Sequence, residues 1–174
     1  MDWVVGIALA AGLLWLGFRA LVAYQTPWPR KARLSQKFGG LFLFGLDGSY
    51  LSLENNESGR GIKFEKNGTS PESGELTLRF LGEAPTAEKL AWLLERLSLL
   101  GVRPSGTDEE DGGHCREINL GACANLHPAT CERIAELALE TLGHSFEERY
   151  RIEFEGPTDY SRVNEYYGFG KGRQ

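Results

Sequence analysis

Five side chains in the C-terminal half have the chemistry to hold a metal or attack a substrate: His114, Cys115, Cys123, His127 and Cys131. Thiolate and imidazole together suit zinc, and Cys123, His127 and Cys131 recur every four residues, the interval that stacks side chains on one helix face. The interval fails in context. Pro128 belongs in the first turn of a helix, which makes His127 the capping residue, and no pair has the C-x-x-C spacing of zinc modules. His114 and Cys115 are neighbours on a strand-like run, so they point to opposite faces and make no nucleophile–base pair. A free cysteine is ordinarily a small buried hydrophobe. The expectation is no cofactor and no catalytic residue. Cys115, Cys123, His127 and Cys131 remain the candidate ligands of a zinc- or thiol-dependent alternative. His144, just past a helix end, is read as meeting the helix dipole.

The elements that carry these residues are read from periodicity. Leu41–Phe44 and Tyr50–Leu53 flank Asp47-Gly48, the signature of a hairpin. Ile62–Glu65 and Leu76–Phe80 alternate apolar and polar as strands with one solvated face. Residues 86–100 switch to helical spacing, with Leu90, Leu93, Leu94 and Leu97 on one side, Thr86 as cap and Gly101 as stop. Residues 103–113 read as a loop holding the acidic run Asp108–Asp111, and Cys115–Leu120 as a short strand. A second helix spans 128–142, with Cys131, Ile134, Leu137 and Ala138 inward and Gly143 as stop. Arg149–Glu155 alternates as a last strand. The expected fold is α+β in the order ββββαβαβ, a mainly antiparallel sheet with two helices packed on one face.

Ahead of this body lies Trp3–Tyr24, a nearly unbroken apolar stretch whose one charge is Arg19. At about 1.5 Å per residue its length suffices for a hydrocarbon core, and Trp3, Tyr24 and Trp28 are interfacial rings. It lacks the basic n-region and cleavage site of a signal peptide. The expectation is a transmembrane anchor over 1–24, in which Gly6, Ala10 and Gly17 form a small-residue face for a partner helix. A basic linker follows at 25–37, then the domain at 38–155 and an aromatic, Gly-rich tail at 156–174. Arg19, Arg30, Lys31, Arg33 and Lys37 can meet lipid headgroups, and they orient the C-terminal domain to the cytoplasm of a single-pass protein of the cell membrane.

Charge and composition narrow the function. Residues 1–37 hold five basic groups and one acid, net +4; the whole chain is −5, which leaves −9 for residues 38–174. So acidic a body repels phosphate backbones, which argues against nucleic acid and favours a basic protein partner or simply good solubility. Three cysteines, an odd number, suit a reducing compartment. Tyr160, Tyr166, Tyr167 and Phe169 of the tail either pack back on the domain's own sheet or, being ring types enriched at contact hot spots, dock on a partner. The leading expectation is a membrane-anchored protein-binding accessory or assembly domain without catalytic activity. An immunity- or inhibitor-type protein that neutralises a basic toxin or enzyme at the membrane is the alternative within the binding class.

Overall fold

Strand alternation decides the layering. The computed structural model describes residues 12–19, 33–68, 74–104, 106–110, 114–160 and 162–163. In chain order the body contains α1 (Leu34–Phe44), β1 (Tyr50–Asn55), β2 (Gly61–Asn67), β3 (Glu75–Leu81), α2 (Ala87–Leu99), β4 (Gly106–Glu110), β5 (His114–Ala122), a 3-10 turn (Cys123–Asn125), α3 (Pro128–Thr141) and β6 (Tyr150–Glu155). The strands form one six-stranded sheet, β4-β5-β3-β2-β1-β6, and every pairing is antiparallel. The fold is α+β. Leu51, Leu53, Ile62, Phe64, Leu76, Leu78 and Ile118 share one face of the sheet and are fully buried with Phe38, Leu93 and Ile134 of the helices.

The opposite face is a ladder of charge. In one row across the strands Glu117, Arg79, Lys63, Ser52 and Glu153 lie side by side. Arg79 Nε meets Glu117 at 2.9 Å, Lys63 Nζ meets Glu65 at 2.7 Å, and Arg151 bridges Glu54 and Glu153. The cross-strand pairs among these, Arg79 with Glu117 and Arg151 with Glu54, stabilise the strand pairing at this solvated face.

Several expectations are corrected. Leu41–Phe44 is not a strand but the last turn of α1, so no hairpin turns at Asp47-Gly48; Gly48, at φ 80°, turns the chain from a helix into β1. The reason is a longer pattern: Leu34, Phe38 and Leu41, all fully buried, sit at i, i+4 and i+7. Four apolar residues in a row carry no period of their own. The folded body therefore includes residues from Leu34 on, inside the stretch read as linker, with Arg33 as the N-cap residue at φ 50° and Lys37 half-buried within α1. Residues 106–110 are strand β4 rather than loop, and the body from Leu34 to Glu155 runs αβββαββαβ, with three helices in place of two. Helix α1 lacks a capping side chain of its own; Glu132 of α3 accepts from Ser35 N at 3.2 Å and supplies the missing acceptor.

At its other end α1 is held by a buried lysine. Lys66 is fully buried, and its Nζ donates to Phe42 O at 3.1 Å and Gly45 O at 2.9 Å. A cation here answers both the unpaired carbonyls and the negative helix end. Burial lowers the Lys66 pKa, with Cys123 acting the other way and Arg162 reinforcing the drop.

The expected anchor is represented by residues 12–19, a helical run. Its Leu13, Leu14, Trp15, Leu16 and Phe18 are 57% to 75% exposed, Gly17 has open space around it, and the Arg19 guanidinium lies 5.0 Å from the Trp15 ring centre. Among the described residues no helix is long and apolar enough to cross a membrane. The rest of 1–24, with Gly6 and Ala10, lies outside the described residues, as do Arg30 and Lys31 of the linker and Tyr166, Tyr167 and Phe169 of the tail.

Candidate functional site

The cysteine–histidine set is dispersed among structural tasks. Cys123 opens the 3-10 turn, buried, with its N–H on Gly74 O at 2.8 Å. Burial raises its thiol pKa, and nearby Lys66 works against that. His127 is the N-cap of α3, as its place before Pro128 requires, and its Nδ1 accepts from Ala129 N at 3.2 Å. Cys131 is fully buried on the inner side of α3. Cys115 falls on β5 opposite Glu109, and its side chain is outside the described residues. Among the described residues no group of His, Cys, Asp or Glu is placed to hold a metal ion.

Cys131 makes a measurable prediction. Burial, assisted by nearby Cys123, pushes its thiol from 9.0 up to about 12. A thiol held protonated is a poor nucleophile and a poor ligand. The native state keeps this proton where the unfolded chain begins to lose it, so the contribution is whole below pH 9 and lost as pH climbs towards 12. In urea titrations from pH 8.5 to 10.5 under reducing conditions, wild type should lose stability faster than Cys131→Ala. The two slopes should differ by up to about 1.4 kcal/mol per pH unit. Parallel slopes would refute the buried, protonated thiol.

Chemistry missed by the sequence gathers beyond the C-terminal end of α3. That helix ends in a Schellman motif: Gly143 N bonds Glu140 O and His144 N bonds Leu139 O, both at 3.0 Å, with Gly143 at φ 80°. The motif aims the His144 ring across to the β1–β2 turn. Its Nδ1 faces Glu148 Oε2 at 2.9 Å and its Nε2 faces Ser58 Oγ at 3.3 Å. Glu148 also accepts from Asn55 Nδ2 at 2.6 Å and Ser145 N at 2.6 Å. The sequence separation of 86 residues between Ser58 and His144 hides this cluster, since Asn55-Asn56-Glu57-Ser58-Gly59 has by itself only the composition of a turn.

Serine, histidine and carboxylate in line have the connectivity of an acyl-transfer relay. Such a relay also needs backbone N–H groups free to meet an oxyanion, and four of those in the turn are already committed. Glu57 N and Ser58 N donate to Asn55 Oδ1, both at 2.9 Å, Gly59 N donates to Asn55 O, and Arg60 N donates to Ser58 Oγ. The arrangement works as a latch between the β1–β2 turn and the α3–β6 loop.

Beside the latch is a cleft of ≈ 490 Å³ lined by Glu136, Glu140, Gly143, His144, Ser145, Phe146 and Glu147. Three carboxylates at the negative end of a helix make it a place for a cation. Glu136 is already partnered by Arg133. Glu140 also lines a second hollow of ≈ 340 Å³ with Glu88, Lys89, Trp92 and Thr141. Trp92 is half-buried, and the Arg96 guanidinium lies 5.5 Å from the centre of its ring. The α2–α3 surface thus joins an acidic cleft to an aromatic floor through one side chain. Of the predicted tail residues, Tyr160 is described, and it is 72% exposed. No family model, curated protein or solved structure matches this chain, so its function is read from this geometry.

Proposed function

We propose that this chain is a single-pass, membrane-tethered protein-binding module whose acidic α+β body, on the cytoplasmic side, receives a basic segment of a partner protein in the α2–α3 groove. The observation that carries the reading is Glu140, shared by the acidic cleft and the Trp92 hollow. A lysine or arginine of the partner that displaces Arg96 from the ring fits both halves, its stem lying on Trp92 and its charge among the carboxylates. The exposed apolar residues of 12–19 support the tether, since such a cluster gains most by entering lipid. Tyr160, 72% exposed beyond β6, offers a second ring for contact.

The test uses the full chain. Wild type should stay with membranes through an alkaline carbonate wash, and Leu14→Lys with Leu16→Lys should release it, each lysine costing about 3 kcal/mol in hydrocarbon. In micelles, an arginine-rich peptide should bind and weaken with salt, and Glu140→Lys should reduce its affinity about tenfold. Recovery of wild type in the soluble fraction would sink the tether. Peptide binding indifferent to Glu140→Lys would sink the groove.

A further inference from the structure

Strand β6 ends the sheet, and among the described residues it has a strand on its β1 side alone. Hydrogen-bond parity shows what it offers on the other side. Asn55 N bonds Arg60 O and Ser49 O accepts from Lys66 N, so the odd-numbered residues of β1 turn their backbone groups toward β2. Tyr50, Ser52 and Glu54 therefore bond across to their opposites Glu155, Glu153 and Arg151. The N–H and C=O groups of Tyr150, Ile152 and Phe154 point away from the sheet.

The sequence of this edge is its own complement. Read outward from Ile152 in Arg149–Glu155, Arg151 mirrors Glu153, Tyr150 mirrors Phe154, and Arg149 mirrors Glu155. An antiparallel copy centred on Ile152 sets each arginine opposite a glutamate on the polar face. It also sets Ile152 against Ile152 on the helix side, where Ile152 and Phe154 are half-buried against the core. The same centre pairs the outward backbone groups, Ile152 with Ile152 and Tyr150 with Phe154, and yields about six hydrogen bonds between the two strands. Shifting the centre to Glu153 opposes two glutamates, and shifting it to Arg151 opposes two arginines. Charge selects this register, and backbone parity permits it.

We propose that β6 pairs with β6 of a second copy of this chain, centred on Ile152, which joins two sheets into one with all helices on the same side. An exposed edge of this kind is a template for strand addition, and its charge pattern selects an identical strand.

The test is a charge exchange in the full chain, followed by sedimentation equilibrium in micelles. Wild type should self-associate. Arg151→Glu and Glu153→Arg, each of which opposes like charges twice in the dimer, should raise the dissociation constant at least about tenfold. The double variant R151E/E153R restores opposite charges and should return association to within about threefold of wild type. Thermal melts separate weaker association from loss of fold, because Arg151 also pairs with Glu54. Where a variant melts early, the outer pair, R149E with E155R, carries the same test. A short bismaleimide should join Ile152→Cys copies to each other, while Arg149→Cys copies, about 20 Å apart in this register, should stay apart. Single reversals that associate like wild type, as dimerisation through the apolar segment would produce, or a well-folded double variant that fails to recover, would overturn the proposal.

Discussion

Gly61→Val is expected to leave the domain unfolded or destabilised by more than about 4 kcal/mol. Gly61 opens β2 opposite Glu54, and a Cβ there would stand 2.0 Å from Leu53 O and 2.8 Å from Glu54 Cα. Both obstacles are backbone, so no rotamer change relieves them. The strand must move away from its neighbour, and β2 lies between β1 and β3. Two other glycines provide the contrast. Gly48→Ala meets no atom within 4 Å and suffers only from φ +80°, a cost of about 1 kcal/mol. Gly39→Ala, inside α1 with open space, should stabilise by up to about 1 kcal/mol. Urea titrations of the three variants test this order. A Gly61→Val protein as stable as Gly48→Ala would show that β1 and β2 do not approach as described.

Phe38→Ala is the second large effect, at about 4 kcal/mol. Phe38 is fully buried on α1, and its ring meets Phe64 of β2 edge to face, with centroids 4.8 Å apart. Phe42 lies on its other side at 6.3 Å. Truncation removes the ring's contacts and leaves a cavity beneath a helix of only 11 residues. A helix that short does not persist without its packing, so α1 should come off with the side chain. Phe38→Leu keeps most of the volume and should cost about 1.5 kcal/mol or less. Against a usual total of 5–15 kcal/mol the alanine variant should unfold early in a thermal scan. Hydrogen exchange along 34–44 should rise together with the drop in stability. Unchanged protection over α1 would contradict its role as part of the core.

These two residues also mark what the sequence could reveal. Strands β1, β2, β3 and β6 were legible because each alternates over a stretch bounded by turn residues, and the facing they imply is the one found. Helices α2 and α3 were legible from their ends. Thr86 accepts from Lys89 N, Pro128 sits in the first turn of α3, and Gly101 and Gly143 take positive φ beyond the last turns. Cys131, Ile134, Leu137 and Ala138 are buried, as their spacing required.

Helix α1 was hidden for a physical reason. Its mate for the missing N-cap is Glu132, 97 positions away from Ser35, and its C-terminal carbonyls are met by Lys66 rather than by a local motif. End signals supplied by distant residues leave no local trace. Strand β4 was masked by its composition, since Gly-Thr-Asp-Glu-Glu reads as a solvated loop until β5 pairs with it. The latch and the α2–α3 groove belong to the same class. Ser58, His144 and Glu148 come from segments that meet only after the sheet has formed, and Trp92 and Glu140 come from different helices. The single chemical cluster that proximity in sequence did suggest is spread over a turn, a cap and the core.

The place of β6 beside β1 has a kinetic consequence. Tyr50 and Glu155, joined by a 2.7 Å hydrogen bond, are 105 residues apart along the chain. Loop-closure entropy for that contact must be met before the central strands gain their last neighbour. The local β1–β2–β3 meander is free to form early, whereas docking of β6 waits for the chain to return. A domain closed in this way should fold more slowly than a helical bundle of its size. Until β6 arrives, the outer side of β1 is an unprotected strand, and this interval is when the newly made chain is most exposed to pairing with the wrong neighbour.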